Sequence, residues 1–545
     1  MDYWSKSRSV FFKCHRSHLS REEPFVGQSD EDQNTDNEIC TIVSRKFDSG
    51  GENSASRCGS DETEETLTVD DILETIGFGK FHWKLSFLVG FAWTGEAMEM
   101  MILSILGPQL HCEWRLPSYK MAVILSVVFL GMVMSAPGWG YVSDNYGRRV
   151  CLIICISWIL FYGLLSTFSP GYGWLLVLRG LVGIGIGGNS QSTILYSEFL
   201  SFKKRGTCII MMSFFWSGGA VFIVFIALWV MPTFGWRWLL GVSTLPLAIF
   251  VCFTFWLPES PRFDLLTGNT ERAMVTLQRV ARENGKTMPQ GKVIAHKQKD
   301  RGQIKDLFSP EYRRTTLLLW FIWFAIAFCY YGIVFLTTEL FQSGDSCEAS
   351  QGANLEPSCS LECNYLTSTD YNDLLWTTFA EIPGVFGALL MVERIGRKKS
   401  LALCFFMFSL FILPLYACIG RIPLTIFIFI ARAFITGGYQ VVNLYTPEVF
   451  PTENRALAMG TCSSMAKVGS LISPFVSQVM IRKSIYLTLS VFCGCSLLAV
   501  FMPLILPSET LGKRLQESSL NKEAGVQTTA MSQTHHRLTK RSKNN

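Results

Sequence analysis

Asp144-Asn145-Tyr146-Gly147-Arg148-Arg149 is written a second time, in kind, as Glu393-Arg394-Ile395-Gly396-Arg397-Lys398. Each stretch reads acid, two variable residues, glycine and two cations, and the copies begin 249 residues apart, at 144 and 393. Two further pairs keep that spacing to within one residue. Glu198 stands seven residues before Arg205-Gly206 as Glu448 stands seven before Arg455-Ala456, and Pro258-Glu259-Ser260 is answered by Pro507-Ser508-Glu509. Three signatures in one order and at one offset make the chain two copies of one unit.

The material between the signatures says what those units are. Of 545 residues 49% are apolar and 13% aromatic, against 17% charged, too few charges for a soluble globule of this size. Nearly uncharged runs of about twenty residues, the length that crosses a bilayer, lie at 85–108, 120–142, 150–168, 174–197, 207–231, 237–257, 315–338, 374–392, 400–419, 424–445, 456–480 and 485–506. No strand-like alternation competes with them, and in lipid a helix satisfies its own backbone. The expected fold class is therefore an all-α membrane protein with twelve transmembrane helices in two pseudo-symmetric six-helix bundles.

Lysine and arginine collect in the loops after the second, fourth, sixth, eighth and tenth spans, whereas the long opposite loop, 342–372, has none. The positive-inside rule then puts both termini in the cytosol. Lys6, Arg8, Lys13 and Arg16 interrupt the first twenty residues, so no cleavable signal peptide is expected. Residues 1–68, rich in Ser, Asp and Glu, read as a disordered acidic cytosolic tail. The first six-helix bundle occupies 69–262 and is preceded by an interfacial helix in the amphipathic stretch Val69 to Lys80. A cytosolic central loop with short helices fills 263–314, where Asn269-Thr270-Glu271 caps an apolar stripe of Ala273, Met274, Leu277, Val280 and Ala281. The second bundle takes 315–510, and the polar, mildly basic 511–545 forms a disordered cytosolic tail.

Most of the 17 cysteines fall in spans or in the cytosolic tail, where they serve as small apolar residues. Cys112, Cys347, Cys359 and Cys363 fall on the far side, where disulfides form, with three connectivities open to them. No histidine stands near Cys359 and Cys363, so no metal site is expected there.

Twelve spans in two halves, with the repeated loop signature after spans two and eight, resemble the major facilitator superfamily over about 80–512. Arg179-Gly180-x-x-Gly183-x-Gly185-x-Gly187-Gly188, Pro258-Glu259-Ser260-Pro261-Arg262 and Tyr445-Thr446-Pro447-Glu448-Val449-Phe450-Pro451 resemble its sugar-porter and organic-ion branches. More narrowly, Ile76-Gly77-Phe78-Gly79-Lys80-Phe81, Glu96-Ala97-Met98-Glu99-Met100-Met101, His111-Cys112-Glu113-Trp114-Arg115-Leu116-Pro117 and Cys359-Ser360-Leu361-Glu362-Cys363 are similar to a synaptic-vesicle branch. The resemblance implies the major facilitator fold, a multi-pass protein of a synaptic or other secretory vesicle membrane, and transport of an organic ion or similar solute. Sugar fits less well, because Met212-Ser213-Phe214-Phe215-Trp216 and Phe328-Cys329-Tyr330-Tyr331 stand where sugar porters carry glutamines.

An acid at a helix end, a glycine that turns the chain sharply and two cations form a clamp between neighbouring helix ends. Asp144, Gly147, Arg148, Arg149, Glu393, Gly396, Arg397 and Lys398, joined by Glu198, Arg205, Glu448 and Arg455, are the expected cytosolic gate; the plainer reading is a topology anchor. Charges within spans are the next signal, each costing about 2.5–3.5 kcal/mol on the insertion scale. Glu96 and Glu99 share a face of span one, and the resemblance suggests that an acid at Glu99 faces Arg179 of span four. The expectation is that Glu99, with Glu96 second, carries an exchangeable proton or contacts a cation while Arg179 tunes it; the competing reading is a permanent ion pair. Span seven lacks such an acid, so the halves are functionally unequal; Glu381 could pair with either Arg432 or Lys467, and a substrate anion could equally be their partner. Trp93, Trp216, Tyr330, Tyr331 and Tyr439 are the candidates for lining a substrate cavity.

The glycines of span four sit in an apolar run with no Lys-Ser/Thr after them, which favours close packing of spans four and one over a nucleotide loop. No nucleophile triad, kinase signature or metal-ligand cluster is written in the chain, so an enzyme, a cofactor and nucleic-acid binding are not expected. Membrane lipid, a small-molecule solute and protons are the expected partners of a monomer. Two function classes remain: a transporter working by alternating access, and a transporter-shaped receptor, regulator or scaffold of vesicles.

Overall fold

A computed structural model describes residues 66–289, 291–293, 303–342, 365–417 and 419–510. The readings for residues 1–65 and 511–545 of the outer tails, and for Cys347, Cys359 and Cys363, lie outside the described residues. Strand β1 (Thr66–Leu67) precedes α1 (Val69–Ile76), which Thr68 and Asp71 start with a reciprocal capping box. The first half continues with α2 (Lys80–Trp114), α3 (Ser118–Tyr146), α4 (Arg148–Thr167), α5 (Tyr172–Ile186), α6 (Ser190–Glu198), α7 (Phe202–Thr233), α8 (Trp236–Ser243) and α9 (Leu245–Cys252). Short α10 (Pro261–Leu266), α11 (Thr270–Asn284), β2 (Lys292–Val293) and α12 (Ile304–Leu307) make the connection. The second half holds α13 (Arg313–Gln342), α14 (Ser368–Phe379), α15 (Glu381–Ile395), α16 (Arg397–Ile412), α17 (Arg421–Val449), α18 (Thr452–Pro474) and α19 (Ile485–Ile505).

Among the described residues nine helical stretches are long and apolar enough to cross a membrane. The other three expected spans are present in less continuous form, each for a local reason. Span four is α5 and α6 broken at Gly187-Gly188-Asn189. Span six is α8 and α9 broken at Thr244, just ahead of Pro246, whose ring removes a backbone donor. Span eleven is α18, carrying Arg455 and Lys467, and its last turns widen into a π-helix at Phe475–Met480.

Three local expectations are corrected. The interfacial helix stops at Ile76 rather than Lys80, because Gly77 takes φ +68° and its N–H turns back to the Leu73 carbonyl. It lies against α11 instead of standing alone, and β1 pairs in parallel with β2, clipping the chain before the first span to the central connection. Helix α11 forms where its stripe predicts, burying Ala273, Leu277, Val280 and Ala281, but Asn269 gives its N-terminus no side-chain bond and donates to Thr267 Oγ1 at 3.2 Å instead. The glycine face of span four meets span two, not span one: a methyl group on Gly183 would lie 2.2 Å from the Val128 carbonyl, and one on Gly131 would lie 2.6 Å from that of Gly180. Such backbone contact leaves room for no side chain.

The halves meet through side chains of both. Ser126 Oγ donates to the Leu471 carbonyl at 2.9 Å, Ser213 Oγ to Gln440 Oε1 at 2.6 Å, and the rings of Phe129 and Tyr331 stand edge to face at 4.8 Å.

Candidate functional site

The repeated signatures build the same device twice. Gly147 and Gly396, at φ +99° and +94°, turn the chain so that α4 and α16 begin at the next residue. The first N–H groups of a helix have no partner within it, and here a remote carboxylate supplies one. Glu259 accepts from the N–H of Arg148 at 3.0 Å and of Arg149 at 3.1 Å, while Glu509 accepts from Arg397 at 2.9 Å and Lys398 at 3.1 Å. Negative charge at a helix N-terminus is favourable. Burial pushes the Glu259 carboxyl above its ordinary range, partly opposed by the N–H groups of Ser260, Arg149 and Arg148. Neither capping glutamate is among the candidate gate residues, although the Pro-Glu-Ser and Pro-Ser-Glu repeat was their signal.

The cations complete the clamp. Arg148 reaches Glu198 at 3.4 Å and Asp144 at 3.5 Å; Arg397 grips both oxygens of Glu448 at 3.1 Å, and Thr510 donates to the same carboxylate at 2.6 Å. Arg149 donates to the Thr254 carbonyl at 3.3 Å, and Lys398 donates to that of Leu506. Two expected members do not join. Glu393 is exposed and makes no ion pair among the described residues, since the Arg397 guanidinium is committed to Glu448. Arg455 makes no bond to Glu448, whose two oxygens Arg397 and Thr510 already occupy, and its Nε is buried without a partner. Arg205 turns to Asp70 of α1 at 3.6 Å, where Arg262 also binds. Each clamp bond given above joins residues of one half, so the signatures stiffen the basic end of each bundle.

Two acid–arginine pairs lie deep in the spans, all four side chains shielded from solvent. Arg179 donates to Glu99 at 2.7 Å, and Ser243 Oγ donates to the other Glu99 oxygen at 2.7 Å. Arg432, not Lys467, takes Glu381 at 2.8 Å, and the Tyr330 hydroxyl donates to the same oxygen at 2.9 Å. Tyr330 in turn accepts from Trp216 Nε1 at 3.2 Å, and Arg432 Nη2 lies 3.5 Å from Met101 Sδ. The second pair therefore backs onto the junction of the halves, where Ala97, Met100, Met101, Trp216, Tyr330 and Tyr331 line a small recess. Trp93 donates to Ser192 Oγ at 3.1 Å, and Tyr439 stands with its ring 5.9 Å from that of Tyr330. Glu96 is set apart from Glu99: it accepts from Asn189 Nδ2 at 2.5 Å. Lys467 makes no ion pair within 4 Å among the described residues. At the opposite end from the clamps, Cys112 is engaged in a disulfide. No group of residues fit to hold a metal ion occurs among the described residues.

Comparison with known proteins agrees with this architecture. Residues 46–348 match the family model Sugar (and other) transporter, and residues 376–538 match that of the Major Facilitator Superfamily. The synaptic vesicle 2-related protein of Xenopus laevis is 59% identical over 458 residues, 84% of each chain, and that of Rattus norvegicus is 58% identical over 458 residues with the same coverage. The xylose transporter of E. coli in a partially occluded inward open conformation superposes with a TM-score of 0.61 at 16% identity, covering 80% of this chain and 100% of that one. At that identity the likeness speaks for the fold alone.

Proposed function

Because the chain belongs to the major facilitator superfamily, and within it to the family of the synaptic vesicle 2-related proteins, we propose that it carries an organic ion or related small solute across a synaptic or other secretory vesicle membrane by alternating access, coupled to a proton on Glu99. Membrane transport, not enzymatic chemistry, is what that membership means. Both termini face the cytosol in this reading, on the strength of the basic loops.

The observation that carries the proposal is the separation of two kinds of contact. The clamps at Gly147 and Gly396 tie helix ends within a half, whereas the aromatic and hydroxyl contacts around Trp216 and Tyr330 bridge the halves beside an open recess. Halves braced at one end and meeting through side-chain contacts are what rocking about a midplane site requires. Glu99 is the coupling candidate because its charge is what ties span one to Arg179 of span four. A proton there cancels the charge that holds Arg179 and loosens span one from span four.

The test is flux. Purified full-length protein in proteoliposomes is given a panel of organic cations, anions and zwitterions under an imposed pH gradient. Saturable uptake that follows the gradient, and loses that dependence in Glu99→Gln, supports the proposal. Uptake equally pH-dependent in Glu99→Gln removes the coupling role. Ligand-induced thermal stabilisation with no flux of any member removes transport and leaves the receptor reading.

A further inference from the structure

Five side chains close a circuit that crosses the junction of the halves twice. Trp216 of α7 donates its indole N–H to the Tyr330 hydroxyl of α13 at 3.2 Å, and that hydroxyl donates to Glu381 Oε1 of α15 at 2.9 Å. Arg432 of α17 reaches the same oxygen with Nη2 at 2.8 Å and with Nε at 3.2 Å. Its Nη2 then returns to the first half, to Met101 Sδ of α2 at 3.5 Å. The links are unequal. Those within the second half end on a carboxylate, whereas the two that cross the junction end on a neutral phenol and a weakly accepting thioether. Strain on the circuit therefore parts it between the halves first.

The charged centre of the circuit is incomplete. Glu381 Oε1 takes hydrogens from Tyr330 and from two nitrogens of Arg432, while Glu381 Oε2 and Arg432 Nη1 are buried with no hydrogen bond among the described residues. Both residues are 0% exposed, and a buried polar atom left without a partner is destabilising. An arginine and a carboxylate with no other demands on them meet as a fork, two nitrogens on two oxygens, as Arg397 meets Glu448 in the second clamp. Here Tyr330 competes for Oε1 and Met101 for Nη2, and the fork is not made. Met101, Trp216 and Tyr330, the three members that meet across the junction, also line the recess there. A solute seated in the recess lies against both crossing links.

We propose that this circuit is an occupancy latch, with Tyr330 as its positioning residue. While the recess is empty, Trp216 stays on Tyr330 and Met101 on Arg432, and the halves are tied at the junction. A solute that fills the recess wedges both links apart. Arg432 and Glu381, freed of their outside partners, then close on one another as a fork, which gives Oε2 the donor it lacks. The pair thus has two discrete arrangements, and occupation of the recess selects the released one. Resting on the transport reading, the inference adds what couples filling of the site to movement of the halves.

Hydrogen exchange of the purified full-length protein in detergent, with no solute added, reads the latch. Tyr330→Phe keeps the ring and removes both hydroxyl bonds, and Met101→Leu keeps the volume and removes the sulfur. Each is expected to speed exchange of the α7 and α13 amides around Trp216 and Tyr330 by about three- to ten-fold, as the loss of one hydrogen bond implies. The double variant should exchange faster than either. Its thermal midpoint should nevertheless lie no lower than that of the less stable single variant, because the pair is then free to fork. Exchange unchanged in both single variants, or raised equally at the starts of α4 and α16 where the clamps hold, overturns the proposal. A double variant that unfolds below both singles overturns it as well. Because opening is read without flux, unchanged exchange in a protein that transports sinks the latch alone. Faster exchange in the variants of a protein that moves no solute sinks only the transport reading.

Discussion

Arg179 and Arg432 stand at corresponding places in the fourth spans of the two halves, but their counter-charges come from different directions: Glu99 of the first span holds Arg179 at 2.7 Å, whereas Glu381 of the second span in its half holds Arg432 at 2.8 Å. The duplication thus kept the cation and moved the acid. The first pair is sealed within one bundle by Ser243, and the second is shared with Tyr330 at the junction.

Removing one member of the second pair should be far worse than removing both. Glu381→Ala leaves the wholly buried Arg432 uncompensated, a loss of about 3–5 kcal/mol. In Glu381→Ala/Arg432→Met both charges go, and most of that loss is expected to return. Thermal unfolding of the four proteins of this cycle in one detergent decides it; a double variant no more stable than Glu381→Ala refutes the argument.

The two turn glycines offer a graded test. A residue with a Cβ at φ near +95° is strained by about 1–3 kcal/mol at either site, so Gly147→Ala and Gly396→Ala should both destabilise. The added methyl would lie 2.4 Å from Glu259 Oε2 at position 147, but 3.1 Å from the Glu509 carboxylate at 396. Gly147→Ala must therefore also displace the carboxylate that caps α4. The larger drop in unfolding midpoint is expected there, and equal drops would mean that the cap does not depend on close approach.

Much of this was legible in the sequence because lipid leaves few options: long uncharged runs become helices, and a repeated glycine between charges becomes a repeated turn. What was not legible was direction. The glycines of span four announce close packing, but only three dimensions show that Val128 and Gly131 of span two receive it. Glu381 could have paired with Arg432 or Lys467, and nothing in their spacing chooses. Glu259 and Glu509 were visible as a repeat, yet their role depends on carboxylates reaching back more than a hundred residues to a helix start. Asp70 of α1 could not be foreseen as the partner of Arg205 and Arg262, because that contact exists only once the first half has closed.

Arginine geometry separates the clamps of the two halves. Arg397 meets Glu448 with two nitrogens on two oxygens, each at 3.1 Å, whereas Arg148 meets Glu198 with one nitrogen at 3.4 Å. A lysine keeps the charge but not the fork. Arg397→Lys should therefore cost about 1 kcal/mol or more, and Arg148→Lys less. The comparison is made in unfolding midpoints, and a cycle with Glu448→Gln should show coupling that the Arg148→Lys cycle with Glu198→Gln lacks.

The contact of α11 with the start of the first span should depend on pH in one direction. Burial pushes the Glu283 carboxyl up, but bonds from Arg279 at 3.0 Å and Lys84 at 3.1 Å outweigh it and hold the group below its ordinary value of 4.5. A group depressed in the folded state stabilises at pH above its unfolded value, and that contribution fades as pH falls through the folded one. Docking of α11 is thus expected to be constant from neutral pH down to about 4.5 and to weaken below it. Lys84 is largely exposed, so solvent limits the effect to under about 1 kcal/mol. Hydrogen exchange of the α11 amides, followed from pH 7 to pH values below 4 and corrected for intrinsic rates, should show protection falling only at the acid end. In Glu283→Gln that fall should vanish while the bond from the Phe81 N–H to Asn284 Oδ1, at 3.0 Å, keeps the helix in place; protection that instead rises with acid would reverse the sign and sink the assignment.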